Sequence, residues 1–194
     1  MTFNELDLSK RYSYADYLKW TFQERLELIK GKVYAMSPAP NRKHQVISAI
    51  LSNAIFNHLA EKPCQMYSAP FDVRLTPRKN DKSGKIHTVV QPDICVICDL
   101  EKLDDAGCLG APDLMIEILS PGNTKKEMKE KKEVYEENGV KEYWIVHPTE
   151  EYILQYYLEN GKYIGGTHYF DEDVVVSTAV EGFKTTVSAV IDAE

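Results

Sequence analysis

Residues 88–98 read TVVQPDICVIC and residues 114–119 read LMIEIL. Both are short apolar runs rich in Val, Ile and Leu, the pattern of strands covered on both faces. Each run is broken by one carboxylate, Asp93 in the first and Glu117 in the second. A lone charge in a buried strand is costly unless it is paired or bound to a metal. Pro92 cannot donate to a ladder, so it marks a strand edge or bulge beside Asp93. If the two strands pair, both acids converge on one point, and two hard oxygen ligands suit Mg²⁺.

Working outward from these strands, helical and extended patterns alternate. Ser13 followed by Asp16, with Tyr14, Tyr17 and Leu18 as an apolar stripe, predicts a helix over 13–24. RLELIKGKVYAMSP predicts a hairpin turning at Lys30-Gly31. From Arg42 to Leu59, Val46, Ile47, Ile50, Leu51, Ala54, Ile55 and Leu59 recur at helical spacing. Gln65–Leu75 reads as a strand, Arg78–Lys85 as a charged loop, Thr88–Cys98 and Leu114–Leu119 as strands, and Asp99–Pro112 as a loop. Asn123 is placed to cap a helix over about 124–138, with Gly139 as its stop. Glu142–Val146 is a buried strand, and hairpin-like segments follow. These elements predict an α/β chain, a mixed β-sheet flanked by helices with a C-terminal β meander, in a single domain over 1–194.

Three further polar residues are candidates for the same site. On the wheel of 124–138, Met128, Val134 and Tyr135 define the apolar face, and Lys131 lies among them. It is the lysine of that helix aimed at the sheet, although a snorkelling stem would place it there too. Glu27 alternates with Leu26 and Leu28, which suits a solvent-facing strand residue as well as a site acid. His44 opens the long helix and matters only if that helix end faces the acids.

Composition limits the rest. The chain has 194 residues, 43% of them hydrophobic, enough for a core. No stretch approaches the roughly 20 apolar residues of a membrane helix, and the N-terminus lacks the apolar centre of a signal peptide, so a cytoplasmic protein is expected. Its four cysteines are then expected to be reduced. Cys95 and Cys98 form a CxxC, but no second ligand pair accompanies them, and they read as small buried residues. The net charge of −7 disfavours indiscriminate coating of nucleic acid. Local basic clusters exist nonetheless: Arg74, Arg78, Lys79, Lys82 and Lys85, and Lys125, Lys126, Lys129, Lys131 and Lys132.

QPD at 91–93, EILSP at 117–121, Lys131, Tyr135 and GVKEYW at 139–144 together resemble the "putative restriction endonuclease" family of the PD-(D/E)XK superfamily. LELIKGKVYAMSP and His44 resemble its N-terminal pattern, so the likeness spans about residues 13–147. The resemblance implies a restriction-endonuclease-like core and a metal-dependent endonuclease acting on nucleic acid, DNA above all. It implies Asp93 and Glu117 as ligands of Mg²⁺ (or Mn²⁺), with the Ile118 carbonyl beside them and Glu27 as a further acid. It implies that Lys131, arriving from the helix, replaces the lysine two residues after the second acid, where this chain has Leu119. His44 would contact phosphate or relay a proton. His147 and Glu127 depart from the pattern, at the outer part of the site. A homodimer is expected by analogy of fold. The alternatives are an inactive nuclease-fold module for nucleic-acid binding or assembly, and a hydrolase of a small phosphoester.

Overall fold

The computed structural model describes residues 5–36, 40–76, 82–120 and 125–192. Asn123, Arg78, Lys79 and the Lys126 side chain, named above, lie outside that description.

The chain opens with one helical turn, α1 (Tyr14–Tyr17). The Ser13 backbone N–H and hydroxyl both donate to Asp16 Oδ2, at 2.9 and 2.7 Å. The predicted helix over 13–24 ends this early because only Tyr14 in that turn is buried, and Leu18 is already exposed. A turn without an apolar face to dock does not propagate. The hairpin β1 (Leu26–Ile29) and β2 (Lys32–Ala35) turns at Lys30 and Gly31, whose φ values of 51° and 81° suit a type I′ turn. Next comes α2 (Arg42–His58), capped by the Asn41 side chain, which accepts from the His44 N–H at 2.9 Å.

The two long predicted strands are each split in two. Gln65–Leu75 becomes β3 (Gln65–Ser68) and β4 (Val73–Leu75), with Pro70 between them. Thr88–Cys98 becomes β5 (Thr88–Val90) and β6 (Ile94–Ile97), with Pro92 between them. In each case the proline marks where the chain leaves one sheet for another. The expected 99–112 loop holds β7 (Leu103–Asp104) and β8 (Gly107–Leu109). Then follow β9 (Leu114–Ile118), α3 (Lys125–Asn138), β10 (Glu142–His147), β11 (Tyr152–Glu159), β12 (Lys162–Phe170), β13 (Val174–Val176), β14 (Lys184–Thr186) and α4 (Val187–Ile191).

Two mixed six-stranded sheets result, in place of the single sheet expected. One has the order β2-β1-β5-β4-β8-β7, the other β12-β11-β10-β9-β6-β3. Within the second, β9 and β10 are parallel, joined by α3, and the other neighbours are antiparallel. Period-2 alternation sorts its residues. Leu114, Ile116 and Ile118 meet Ile47, Leu51 and Ile55 of α2 on one face. Met115, Tyr143 and Ile145 meet Val134 and Tyr135 of α3, and Val73 and Val90 of the first sheet, on the other. Glu117 falls on this second face, one step beyond Met115.

The cysteines correct the expectation of four reduced thiols. Cys64 and Cys98 form a disulfide, and Cys95 and Cys108 are free and buried. The register explains the pair: Gln65 lies opposite Ile97 in antiparallel β3 and β6, which puts residues 64 and 98 face to face one step beyond. Among the described residues no helix is long and apolar enough to cross a membrane.

Candidate active site

Strand pairing brings the two acids together. Ile94 pairs with Ile116 in antiparallel β6 and β9, so Asp93 stands opposite Glu117 at the end of the ladder. The Ile118 N–H donates to Asp93 Oδ2 at 2.7 Å, fixing the carboxylate across the strand end. Pro92 leaves that end unpaired on its own side, which frees Asp93 to turn into the cleft.

Helix α3 supplies the cation. Lys131 Nζ donates to Glu117 Oε1 at 3.0 Å and lies 3.0 Å from Glu27 Oε2. One helical turn on, the Tyr135 hydroxyl donates to the same Glu117 Oε1 at 2.7 Å. The i,i+4 spacing puts both donors on one face, and the second Glu117 oxygen takes part in neither bond. Glu27, in the middle of β1, is buried, and its Oε1 accepts from the Gln91 N–H at 2.8 Å. His44 completes the set from α2: it is buried, with Nε2 3.3 Å from Asp93 Oδ1. The helix end thus does face the acids. Four elements therefore converge on one pocket, whose walls also include Arg25, Gln91, Glu127 and Met128. Asp93, with 21% of its side chain exposed, is more open to solvent than Glu117 or Glu27.

The electrostatics follow from three carboxylates sharing little positive charge. Burial first, then Glu27 and Asp93, push Glu117 up to about 7, against the pull of Lys131 and Tyr135. Burial pulls Lys131 down, but Glu117 and Glu27 outweigh it, and the ammonium is held well above its ordinary value. Burial also lowers His44, and the hydrogen bond and charge of Asp93, with the Ile118 backbone and the Glu117 charge, together more than offset this, leaving the imidazole raised.

A model of the family described as "Uma2: Putative restriction endonuclease" matches residues 14–188. The chain belongs to this family. This Uma2 chain is 27% identical over 145 residues to the uncharacterized protein slr1290 of Synechocystis sp. (strain ATCC 27184 / PCC 6803 / Kazusa), a match covering 73% of the chain and 72% of that protein. Its fold is that of a crystal structure from Anabaena variabilis ATCC 29413, described as a "putative nuclease belonging to DUF820". The TM-score is 0.74 at 17% identity, covering 93% of this chain and 98% of that one.

Two participants, Gln91 and Tyr135, stood among the motif residues but were given no role in the site. Gln91 ties the site's rim together: Arg25 Nη2 donates to its Oε1 at 2.7 Å, and its Nε2 donates to Asp72 Oδ1 at 2.8 Å. Its place before Pro92-Asp93 was the only signal. Tyr135 was visible as an apolar-face residue, and its i+4 offset from Lys131 pointed to the same acid. One basic residue is removed from the expected surface: Arg74 is buried and bonded to Asp104 at 2.5 Å. It is not available to a phosphate backbone. Lys82, Lys85, Lys125 and Lys129 are exposed.

The raised Glu117 makes the stability of the metal-free Uma2 protein depend on pH. Its folded-state value, about 7, exceeds the ordinary 4.5. Between these values the folded state holds more protons than the unfolded one, so this group's contribution falls as pH rises from about 4.5 to about 7. At about 1.4 kcal/mol per pKa unit the change is roughly 3 kcal/mol. Urea denaturation in EDTA at pH 5 and pH 8 is expected to show that slope in the parent and its loss in Glu117→Gln.

Proposed function

We propose that this Uma2 protein is a metal-dependent endonuclease that hydrolyses phosphodiester bonds of DNA. The observation that carries this reading is the Lys131 ammonium held between Glu117 and Glu27, beside Asp93, in a pocket built from four separate elements. A structural ion pair needs one acid and one base. Here Glu117 and Glu27 share one lysine with Asp93 beside them, a shortage of positive charge that adds to burial in raising Glu117.

That shortage fits a cation. Among the described residues no three His, Cys, Asp or Glu side chains form a ready cage. Mg²⁺ does not require one, since it keeps several waters and takes one or two carboxylates. Asp93, the free oxygen of Glu117 and the Ile118 carbonyl would hold Mg²⁺ or Mn²⁺. Bound there, the ion would polarise a phosphate and lower the pKa of a water.

The chain's own residues do the rest. Lys131 orients the attacking water and stabilises charge developing on the phosphate oxygens. Glu27 positions Lys131, and Tyr135 fixes the Glu117 carboxylate so that one oxygen stays open. His44 holds Asp93 from the α2 side. The pocket continues past Leu119, Ser120 and Met128 into a second hollow that shares these three residues. An extended depression suits a polymer better than a small phosphoester.

Incubation with plasmid and single-stranded DNA in Mg²⁺ or Mn²⁺ tests the reading. Cleavage by the parent is expected, with none by Asp93→Asn. Cleavage that survives Asp93→Asn unchanged would sink the assignment, and a parent that binds DNA without cutting it would point to an inactive module.

A further inference from the structure

The second hollow ends on a run of rings that the proposed chemistry does not use, half-buried at His147 and Tyr152 and exposed at His168 and Phe170. Its walls include Lys125, His147 and Tyr152 besides the three residues shared with the acid pocket. The register carries the rings onward. His147 pairs with Tyr152, Tyr152 with Phe170, and Leu154 with His168. Cross-strand partners share a face, so the four rings lie on one face of the sheet. It is the face of Glu117, because Glu117 pairs with Ile145, two residues before His147. Ring centroids lie 5.0 Å apart between His147 and Tyr152, and Tyr152 in turn lies 4.9 Å from His168 and 5.9 Å from Phe170. His168 and Phe170 are nearly parallel, 13° apart, and Phe170 is 46% exposed.

We infer that this ladder is a stacking platform for unpaired bases of the strand whose phosphodiester occupies the acid pocket. The inference rests on the nuclease reading and narrows its substrate to nucleic acid with a single-stranded stretch beside the scissile bond. Three observations favour that occupant. The ladder is continuous with the pocket through Leu119, Ser120 and Met128. Its outer rings, His168 and Phe170, are exposed and nearly parallel, and base stacking on aromatic rings is tolerant of sequence. Charge, in contrast, is poorly placed for a duplex. The chain carries a net −7, and Glu150 lines the same hollow as Lys125. A duplex offers mainly phosphates and hides its base faces, so it gains little here. Lys125 then serves a single phosphate at the mouth of the hollow.

The bland explanation is that the rings merely stabilise the β11–β12 hairpin, as cross-strand aromatic pairs do. Phe170→Tyr and Phe170→Leu separate the two, since both keep apolar bulk but only tyrosine keeps a π-face. Fluorescence anisotropy in EDTA, where no cutting occurs, would measure binding of a labelled oligodeoxythymidine of about ten nucleotides, its RNA counterpart and a duplex of equal length. The parent is expected to prefer the single strands. Phe170→Tyr should match it, and Phe170→Leu combined with His168→Ala should bind roughly tenfold more weakly. The melting temperature of each variant, measured alongside, reports any loss of fold. Equal single-strand affinity for the Tyr and Leu variants overturns the platform, as does a parent that prefers duplex. The nuclease reading fails separately, when the parent's cleavage does not depend on Asp93. A parent that cuts in an Asp93-dependent way but binds alike in all variants loses only the platform.

Discussion

Lys131→Met is expected to lower cleavage by roughly 10²–10³-fold, on the scale of removing one preorganised charge-stabilising donor. It should also cost the metal-free fold about 3–5 kcal/mol, the usual penalty for stripping the partner from a buried charge. Methionine preserves most of the lysine stem, so packing against α3 neighbours is retained and the lost charge is what is measured. Glu27, 2% exposed, and Glu117, 9% exposed, are then left facing each other without the ammonium. Their simplest relief is protonation, which moves Glu117 further above the value of about 7 it already has. The destabilisation should therefore shrink as pH falls and be largest above neutrality. Chemical denaturation of parent and variant at pH 5 and pH 8 in EDTA checks the sign. Isothermal titration with Mn²⁺ separates the roles: a more negative site should bind the ion at least as tightly in Lys131→Met while cleavage is lost. Weaker ion binding in the variant would contradict a lysine that acts on the water and phosphate and does not ligate.

The residues of this pocket differed in how plainly they could be read, and the reason lies in their surroundings. Asp93 and Glu117 were legible because each stands in an otherwise apolar strand, where a charge is an anomaly whatever the topology. Lys131 was legible because α3 has one apolar face and a period of 3.6 assigns every residue to a side. Glu27 was ambiguous for a physical reason. All four residues of β1 are buried. Alternation that separates core from solvent in a half-exposed strand therefore says nothing in one covered on both sides. The splitting of Thr88–Cys98 between two sheets was hidden for the same reason: Val89 and Val96 look alike in sequence whichever sheet takes them. Pro92 was the only signal, and it reads in sequence as a strand edge or bulge, whereas here it marks where the chain changes sheets. The Cys64–Cys98 pair depends on the register of β3 against β6, which no local pattern states.

Glu142 shows the converse case, a carboxylate that was passed over and on which the C-terminal part of the fold depends. It begins the strand EYWIVH and is fully buried, yet no salt bridge serves it among the described residues. One oxygen accepts from Trp144 Nε1 at 2.6 Å and Gln155 Nε2 at 2.5 Å. The other accepts from the Ser177 hydroxyl at 2.6 Å and the Thr178 and Ala179 N–H groups at 3.0 and 2.9 Å. Successive N–H groups of a turn form an anion-binding nest, and this one ties the segment after β13 to the edge of β10. Glu142→Ala leaves these five donors without their acceptor in a dry site. At about 1–3 kcal/mol for each buried donor that cannot relax, a net loss of about 3–5 kcal/mol is expected. For a chain of this length that corresponds to a melting temperature lower by roughly 10–15 °C. Glu142→Gln keeps one oxygen but turns an amide N–H₂ toward donors, so it should fall between parent and Glu142→Ala. Differential scanning calorimetry measures all three. Because Glu142 points to the face of the sheet opposite Glu117, alongside Trp144 and Val146, cleavage per folded molecule should be unchanged at a temperature where the variants remain folded. A Glu142→Ala protein as stable as the parent would mean that water replaces the carboxylate and that the nest, not the charge, holds this turn.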